Sequence, residues 1–217
     1  MEVLMGFAAE VRELTRADHR AAQHVTYFDA LLSGRLDRAG YAALLEQLHL
    51  VYQALEEAAG TMRDHPVAGR FVVDELQRLP RIAADLEFLN GPDWASRIVP
   101  TPATRRYQER LGDIAFSWPA GFVAHHYTRY LGDLSGGQVM ARALRRTFGF
   151  DSAGVEFFTF PGLDPRAFKE HYRSLLDTVP WDEAERRRFL DEVSRAYRLN
   201  TDLLDELGQV VAQERAA

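Results

Sequence analysis

Three glycines and one acid interrupt an otherwise helical stretch at residues 122–144, FVAHHYTRYLGDLSGGQVMARAL. Gly132 and Gly136 are four residues apart and share one helix face, and Gly137 widens that face. Each mid-helix glycine costs roughly 1 kcal/mol relative to alanine, so three of them require a reason. A face without Cβ atoms lets a flat, bulky group approach the backbone, with Asp133 at its rim to hold water. Close helix–helix packing or a kink is the alternative explanation of the same spacing.

A candidate metal ligand lies near the N-terminus, where His19 falls at the edge of the apolar face of a predicted helix. A neutral imidazole is among the commonest metal ligands in proteins. Gln23 follows one turn later and could contact the imidazole ring. The alternative is a partly buried surface histidine without a ligand.

Two other histidine patterns suggest metal chemistry more weakly. Glu46 and His49 form an E-x-x-H pair, which binds iron in di-iron bundles only when a second copy and further glutamates are present. The sequence has no second copy, so we predict a surface pair. The adjacent His125 and His126 point in different directions on a helix and are predicted to be structural.

Composition excludes several classes of protein. The net charge of -6 argues against a nucleic-acid partner, because such binding depends on a basic surface. The absence of cysteine excludes thiolate metal sites, iron–sulfur clusters and cysteine nucleophiles, and it fits a reducing cytoplasm. No apolar run approaches the ~20 residues of a membrane span, and no secretion signal is visible. We therefore expect a soluble cytoplasmic protein without a membrane anchor.

Hydrophobic periodicity indicates helix almost everywhere, and no hairpin signal or internal repeat is found. The sequence therefore predicts one all-α domain over residues 1–217, with about eight helices and a core at about 8–207. The first predicted helix spans about 7–30, and the second runs from Asp37 to near Gly60. Residues 66–90 are predicted to form two shorter helices split at Pro80, and the next helix runs from Thr101–Pro102 to before Trp118. A long helix follows and ends at Gly149, another begins at Asp164–Pro165, and the last runs from Trp181–Asp182 to about Gly208. Residues 150–163 are predicted to be an aromatic, irregular connector.

Several segments together resemble one enzyme family. LGDLSGGQ, preceded by AHHYTRY, is similar to the distal-helix signature of heme oxygenases, the enzymes that open the heme ring. DHRAAQHVTYF resembles the proximal-helix segment of that family, and FKEHYR resembles its cationic helix segment. The resemblance covers most of residues 8–205. It implies a helical bundle that holds heme between a proximal helix and a kinked distal helix.

The resemblance assigns roles on both faces of the heme. His19 would be the axial ligand of the iron, and the strip from Gly132 to Gly137 would lie over the opposite face. The family commonly has a glutamate one turn after the ligand, whereas this chain has Gln23, a neutral amide that polarises imidazole less. Asp133 would order water near the iron, supported by two further residues, Tyr52 and Arg129.

The resemblance also implies partners for the two heme propionates. Lys169 and Arg173 lie one turn apart on one helix face, and Arg12 stands where the family has a lysine. Tyr127 would add its hydroxyl, while for Tyr197, near the heme edge, and for Asn200 core packing is favoured. Exposed charges without a ligand are the alternative for the three cations.

The implied function is heme oxygenase activity, with heme b as both cofactor and substrate and dioxygen as co-substrate. The products would be biliverdin, carbon monoxide and ferrous iron. No flavin or nicotinamide fingerprint such as G-x-G-x-x-G is present, so electrons would come from a ferredoxin with its reductase or from another reductase. The alternative is a non-catalytic heme carrier or sensor of the same fold, and the presence of Asp133 favours the enzyme.

Overall fold

The computed structural model describes residues 6–23 and 26–214, and these residues form an all-α fold without strands. This confirms the predicted fold class. The helices are α1 (Phe7–Leu14), α2 (Arg16–Gln23), α3 (Thr26–Leu32), α4 (Arg38–Met62), α5 (Leu79–Asn90), α6 (Pro102–Ile114), α7 (Pro119–Phe148), α8 (Pro165–Asp177) and α9 (Glu183–Glu214).

Local sequence signals set most helix ends. The Asp37 carboxylate accepts a hydrogen bond from the Gly40 amide at 2.9 Å and caps α4, and Asp164 caps α8 through two amides. Thr101 caps α6, which begins with proline at its first position. Gly149 ends α7 with a φ of 70°, a left-handed conformation that favours glycine.

Three predicted boundaries are wrong. The last helix, predicted to end at about Gly208, continues to Glu214. The helix predicted at about 7–30 is divided into α1, α2 and α3. The first division lies at Thr15, because its hydroxyl donates a hydrogen bond to the Val11 carbonyl oxygen at 2.7 Å. Pro80 does not separate two helices of 66–90. It lies in the first turn of α5, where a missing N–H costs nothing, and the preceding segment forms short 3₁₀ turns at Ala68–Phe71 and Asp74–Leu76.

The long helices α4, α7 and α9 pack together with α6 and form the centre of the molecule. Helix α2 packs on α9, and α1 packs on α8, so both lie beside the centre. The predicted aromatic connector folds onto the core, where Phe157, Phe158 and Phe160 are buried. Among the described helices, none is long and apolar enough to cross a membrane.

Candidate active site

A cavity of about 820 Å³ lies between α2 and α7, with further walls from α4, α8 and α9. This volume lies in the range of cofactor and small-molecule sites. Its apolar walls include Leu44, Leu48, Leu131, Phe157, Phe158 and Leu204.

Helix α2 places His19 in one wall of the cavity. Its imidazole is half-buried and meets the Tyr197 ring edge-on, with 5.8 Å between ring centroids. Burial lowers the pKa of His19, which keeps the ring neutral and able to offer a nitrogen lone pair. The side chain of Gln23 lies outside the described part of the chain, so its predicted contact with His19 stays a prediction.

Helix α7 forms another wall of the cavity, and its glycines have two different uses. A Cβ added to Gly132 or Gly136 would meet no atom of the described residues within 4 Å, and both residues line the cavity. A Cβ on Gly137 would lie 3.1 Å from Cδ1 of Phe158. Gly132 and Gly136 therefore leave the cavity open, whereas Gly137 admits a neighbouring side chain.

Asp133 stands at the cavity wall within a hydrogen-bonded network. The Tyr52 hydroxyl donates to one carboxylate oxygen of Asp133, and Arg129 Nη2 lies 3.5 Å from the other. Arg129 Nη1 also donates to the side-chain oxygen of Asn200 at 2.5 Å. Only 11% of the Asp133 side chain is exposed, so these contacts hold it in one orientation with its remaining surface towards the cavity.

Electrostatics keep Tyr52 and Arg129 protonated and shift the pKa of Asp133. Burial raises the pKa of Asp133, while the Arg129 charge and the Tyr52 hydrogen bond oppose that shift. Burial raises the pKa of Tyr52 well above its usual value, so the phenol keeps its proton and remains a donor. Burial alone would lower the pKa of Arg129, but Tyr52 and Asp133 outweigh it and keep the guanidinium charged.

A group of cations and one hydroxyl lines another side of the same cavity. Arg12 from α1, Lys169 and Arg173 from α8, and Tyr127 from α7 all face it. Burial raises the pKa of Tyr127, and the charges of Arg173 and Arg12 act against this rise, which places both guanidinium groups near its hydroxyl. Lys169 Nζ donates to Ser135 Oγ at 3.3 Å. This side can accept a ligand with carboxylates.

Comparison with known proteins identifies the family. The family model described as "Heme oxygenase" matches residues 5–206. The chain belongs to the heme oxygenase family. A heme oxygenase of Porphyra purpurea is 36% identical over 97% of this chain and 90% of its own length. The crystal structure of Synechocystis heme oxygenase-1 in complex with heme has a TM-score of 0.91, with 31% identity, and covers 98% of this chain and 96% of that one. Synechocystis heme oxygenase-2, solved with heme and NO, also has a TM-score of 0.91.

The residues that line the cavity are of the kinds that a heme-binding site needs. Heme needs an apolar slot, an axial nitrogen, and cations or hydroxyls for two propionates. The neutral His19 has a nitrogen of the required kind, and Arg12, Lys169, Arg173 and Tyr127 are groups of the kind that bind carboxylates. The open space in front of Gly132 and Gly136 admits a flat ring close to the backbone.

The structure brings the predicted site residues around one cavity and adds others. His19, Asp133, Arg129, Tyr127 and Tyr197 line it, as do Arg12, Gly132, Gly136, Gly137, Lys169 and Arg173. Tyr52 lies behind Asp133.

Sequence reasoning missed residues that also belong here. Arg16 and Ser135 line the cavity, and Asn200, assigned to packing from the sequence, instead bonds to Arg129. The Tyr107 hydroxyl is buried without a partner among the described residues, and the Arg129 and Asp133 charges act on its pKa. The position of Arg16 one turn before His19 was the available signal for that residue.

The E-x-x-H pair has separate partners and is half-buried rather than on the surface. Glu46 accepts a hydrogen bond from Asn90 at 2.8 Å, and His49 packs edge-on against Trp94 with 4.9 Å between ring centroids. Within the described ranges, no group of three or more His, Cys, Asp or Glu side chains could hold a metal ion. The observed contacts give no support to a di-iron site.

Proposed function

We propose that this chain is a heme oxygenase that binds heme b as substrate and cofactor and opens it to biliverdin, carbon monoxide and ferrous iron. One observation carries the proposal. A neutral histidine and the side-chain-free backbone of Gly132 and Gly136 line the same cavity, with a hydrogen-bonded aspartate beside the glycines.

Different residues would bind the iron and the propionates of the heme. His19 would hold the iron, and Arg12, Lys169, Arg173 and Tyr127 would hold the propionates through charge-assisted hydrogen bonds. Bound heme supplies the iron that activates dioxygen and is itself the molecule oxidised. The leucine and phenylalanine walls exclude bulk water from its faces.

Asp133 controls proton delivery. It is the one carboxyl group among the described residues that line the cavity, and Tyr52 and Arg129 occupy its inner side. Its outer lone pairs can hold water against the open Gly132 face, so that a proton moves from this water rather than from an acid in direct contact. A bound water is a weaker acid than a carboxylic acid, which limits how early the proton arrives.

Dioxygen as co-substrate and an external electron donor belong to the same proposal. We assign the donor to a ferredoxin with its reductase or to another reductase. Exposed arginines on α6 and near the end of α7, Arg105, Arg106, Arg142, Arg145 and Arg146, are suited to an acidic partner. A cytoplasmic location is supported by the absence of cysteine.

The deciding experiment adds one equivalent of hemin to the purified protein, then ascorbate in air, and follows the Soret band. Uptake of hemin followed by replacement of the Soret band with a biliverdin spectrum is expected. Stoichiometric uptake with an intact Soret band would show a heme carrier or sensor instead. Failure to bind hemin would refute both.

Two substitutions test the assigned roles. His19→Ala should change the spectrum of the hemin complex and remove most turnover, whereas His171→Ala, an exposed histidine on α8, should do neither. Asp133→Asn should keep hemin binding and lower biliverdin formation by roughly 10²-fold or more. Asp113→Asn, at an exposed acid on α6, is its matched control.

A further inference from the structure

A buried pair, His126 and Tyr172, joins α7 to α8 behind the cavity. A hydrogen bond of 3.0 Å links His126 Nδ1 and the Tyr172 hydroxyl, and the two rings stack at 15° with centroids 5.7 Å apart. Only 2% of His126 and 1% of Tyr172 is exposed. Neither side chain has a part in the proposed chemistry.

The neighbours of this pair in the sequence are the residues that would hold the propionates. Tyr172 follows Lys169 by three positions and directly precedes Arg173, while His126 directly precedes Tyr127. Lys169, Arg173 and Tyr127 line the cavity. The His126–Tyr172 hydrogen bond therefore connects the two helices at the level of their ligand-facing side chains.

Helix α8 is linked to α7 at this level by two side-chain hydrogen bonds of the described residues, the buried one between Tyr172 and His126 and an exposed one from Lys169 Nζ to Ser135 Oγ at 3.3 Å. Its buried side chains are Tyr172, Leu175 and Leu176, and its C-terminal end is fixed separately, where Asp177 accepts a hydrogen bond from the Ala8 amide at 2.8 Å. The Tyr172 ring also packs on Phe71 at 4.8 Å. A hydrogen bond has a preferred angle, and the His126–Tyr172 bond is buried whereas the Lys169–Ser135 bond is exposed to water, so the buried bond constrains the rotation of α8 beyond what packing does.

The bond is between neutral groups and does not depend on ionisation near neutral pH. Burial lowers the pKa of His126 to about 3, so the imidazole is uncharged. Burial raises the pKa of Tyr172 well above its usual value, and the neighbouring Tyr127 adds to the shift. The pair is therefore a fixed structural link across the physiological range.

We infer that His126 is a positioning residue which, through the Tyr172 hydroxyl, sets where Lys169 and Arg173 meet the two carboxylates of the substrate. Those contacts determine how the ring is rotated about the axis through its iron. The rotation in turn determines which bridging carbon faces the reactive side, and so which biliverdin isomer forms. The inference rests on the proposed function.

The test uses two substitutions that keep an aromatic ring at each position. Tyr172→Phe removes only the hydroxyl, and His126→Phe removes the ring nitrogen that meets it. The double variant completes a thermodynamic cycle. Tyr41→Phe is the matched control, because the Tyr41 hydroxyl is also buried but has no partner among the described residues.

Two measurements report the ring rotation independently. Proton NMR of the ferric hemin complex resolves the shifted heme methyl signals and needs no turnover. Chromatography of the product after reaction with ascorbate gives the ratio of biliverdin isomers. Hemin affinity and thermal stability are measured alongside, so that a general loss of structure is recognised.

Each single variant should change the ratio of orientations and of isomers by roughly three- to tenfold, with hemin still bound. The double variant should match the single variants, since one hydrogen bond is lost in every case, and Tyr41→Phe should match the unaltered protein. An unchanged ratio in both single variants, or additive effects in the double variant, would overturn the inference. If the unaltered protein binds hemin but forms no biliverdin, the proposed function fails while the NMR result still decides the role of His126.

Discussion

Single residues decide how close a ring can come to the distal helix. Gly132 and Gly136 face open cavity, while Gly137 faces Phe158 at a distance that leaves no room for a methyl group without adjustment. The three glycines look equivalent in the sequence, but glycine is required at these positions for different physical reasons. Two preserve space for a ligand and one preserves packing.

Gly136→Ala should separate ligand binding from stability. The added methyl group meets no described atom, and alanine favours helix by up to about 1 kcal/mol, so the ligand-free protein should unfold at the same or a higher urea concentration. Hemin affinity should fall because the methyl group projects into the ligand space. Gly112→Ala, an exposed site on α6 with equal room, should gain similar stability and bind hemin normally. Equal hemin affinity in the two variants would contradict the placement of the ring against Gly136.

Pairs of helices are held together by buried charges as well as by apolar packing. Glu192 of α9 accepts two hydrogen bonds from Arg110 of α6, at 2.9 and 2.5 Å, and lies 2.9 Å from His125 Nε2 of α7. Burial alone would raise the pKa of Glu192, but the hydrogen bonds from His125 and Arg110 lower it to about 2. One carboxylate thus ties together α6, α7 and α9, and α7 also carries Arg129 and Asp133.

Glu192→Gln should destabilise the protein by about 2–4 kcal/mol at pH 7, because Arg110 and the buried His125 lose a charged partner. Urea unfolding followed by circular dichroism measures the change. Glu183→Gln on the same helix removes an exposed pair with Arg187 and should cost less than about 0.5 kcal/mol. Similar losses in the two variants would show that burial of the Glu192 cluster adds nothing.

Buried charged side chains also hold the connector after α7, in this case through its backbone groups. Asp85, fully buried on α5, accepts hydrogen bonds from the amides of Glu156 and Phe157 at 3.0 and 2.8 Å. The buried Arg78 donates to the Phe157 and Thr159 carbonyl oxygens at 2.9 and 2.6 Å. These two side chains fix the turn that carries Phe158 to Gly137, which explains how an irregular segment forms a defined cavity wall.

The molecule as a whole buries histidines in their neutral form, which makes its stability depend on pH. In the unfolded chain His126 binds a proton near pH 6.5, whereas in the folded protein burial lowers its pKa to about 3. Unfolding therefore takes up a proton between these two values, and acid favours the unfolded state.

Lowering the pH from 7 to 5 should cost about 2 kcal/mol of stability through His126 alone. Urea unfolding at both pH values measures the total loss, and in His126→Phe the loss should be smaller by about this amount. The comparison uses the difference between pH values within each variant, so any loss of packing in the substitution cancels. An identical pH dependence in the two proteins would show that His126 titrates normally when folded.

The sequence by itself determined the helical class, most helix ends and the residues of the distal segment, because helix periodicity, capping and the spacing of Arg129 to Asp133 are local properties. It did not determine the break at Thr15, where a side-chain hydrogen bond competes with the helix. Only the tertiary structure decided that Asn200 bonds to Arg129, that His126 meets Tyr172, and that Phe158 packs against Gly137. These partners lie far apart in the chain or in separate elements, and which side chains meet depends on how the helices rotate and pack against one another.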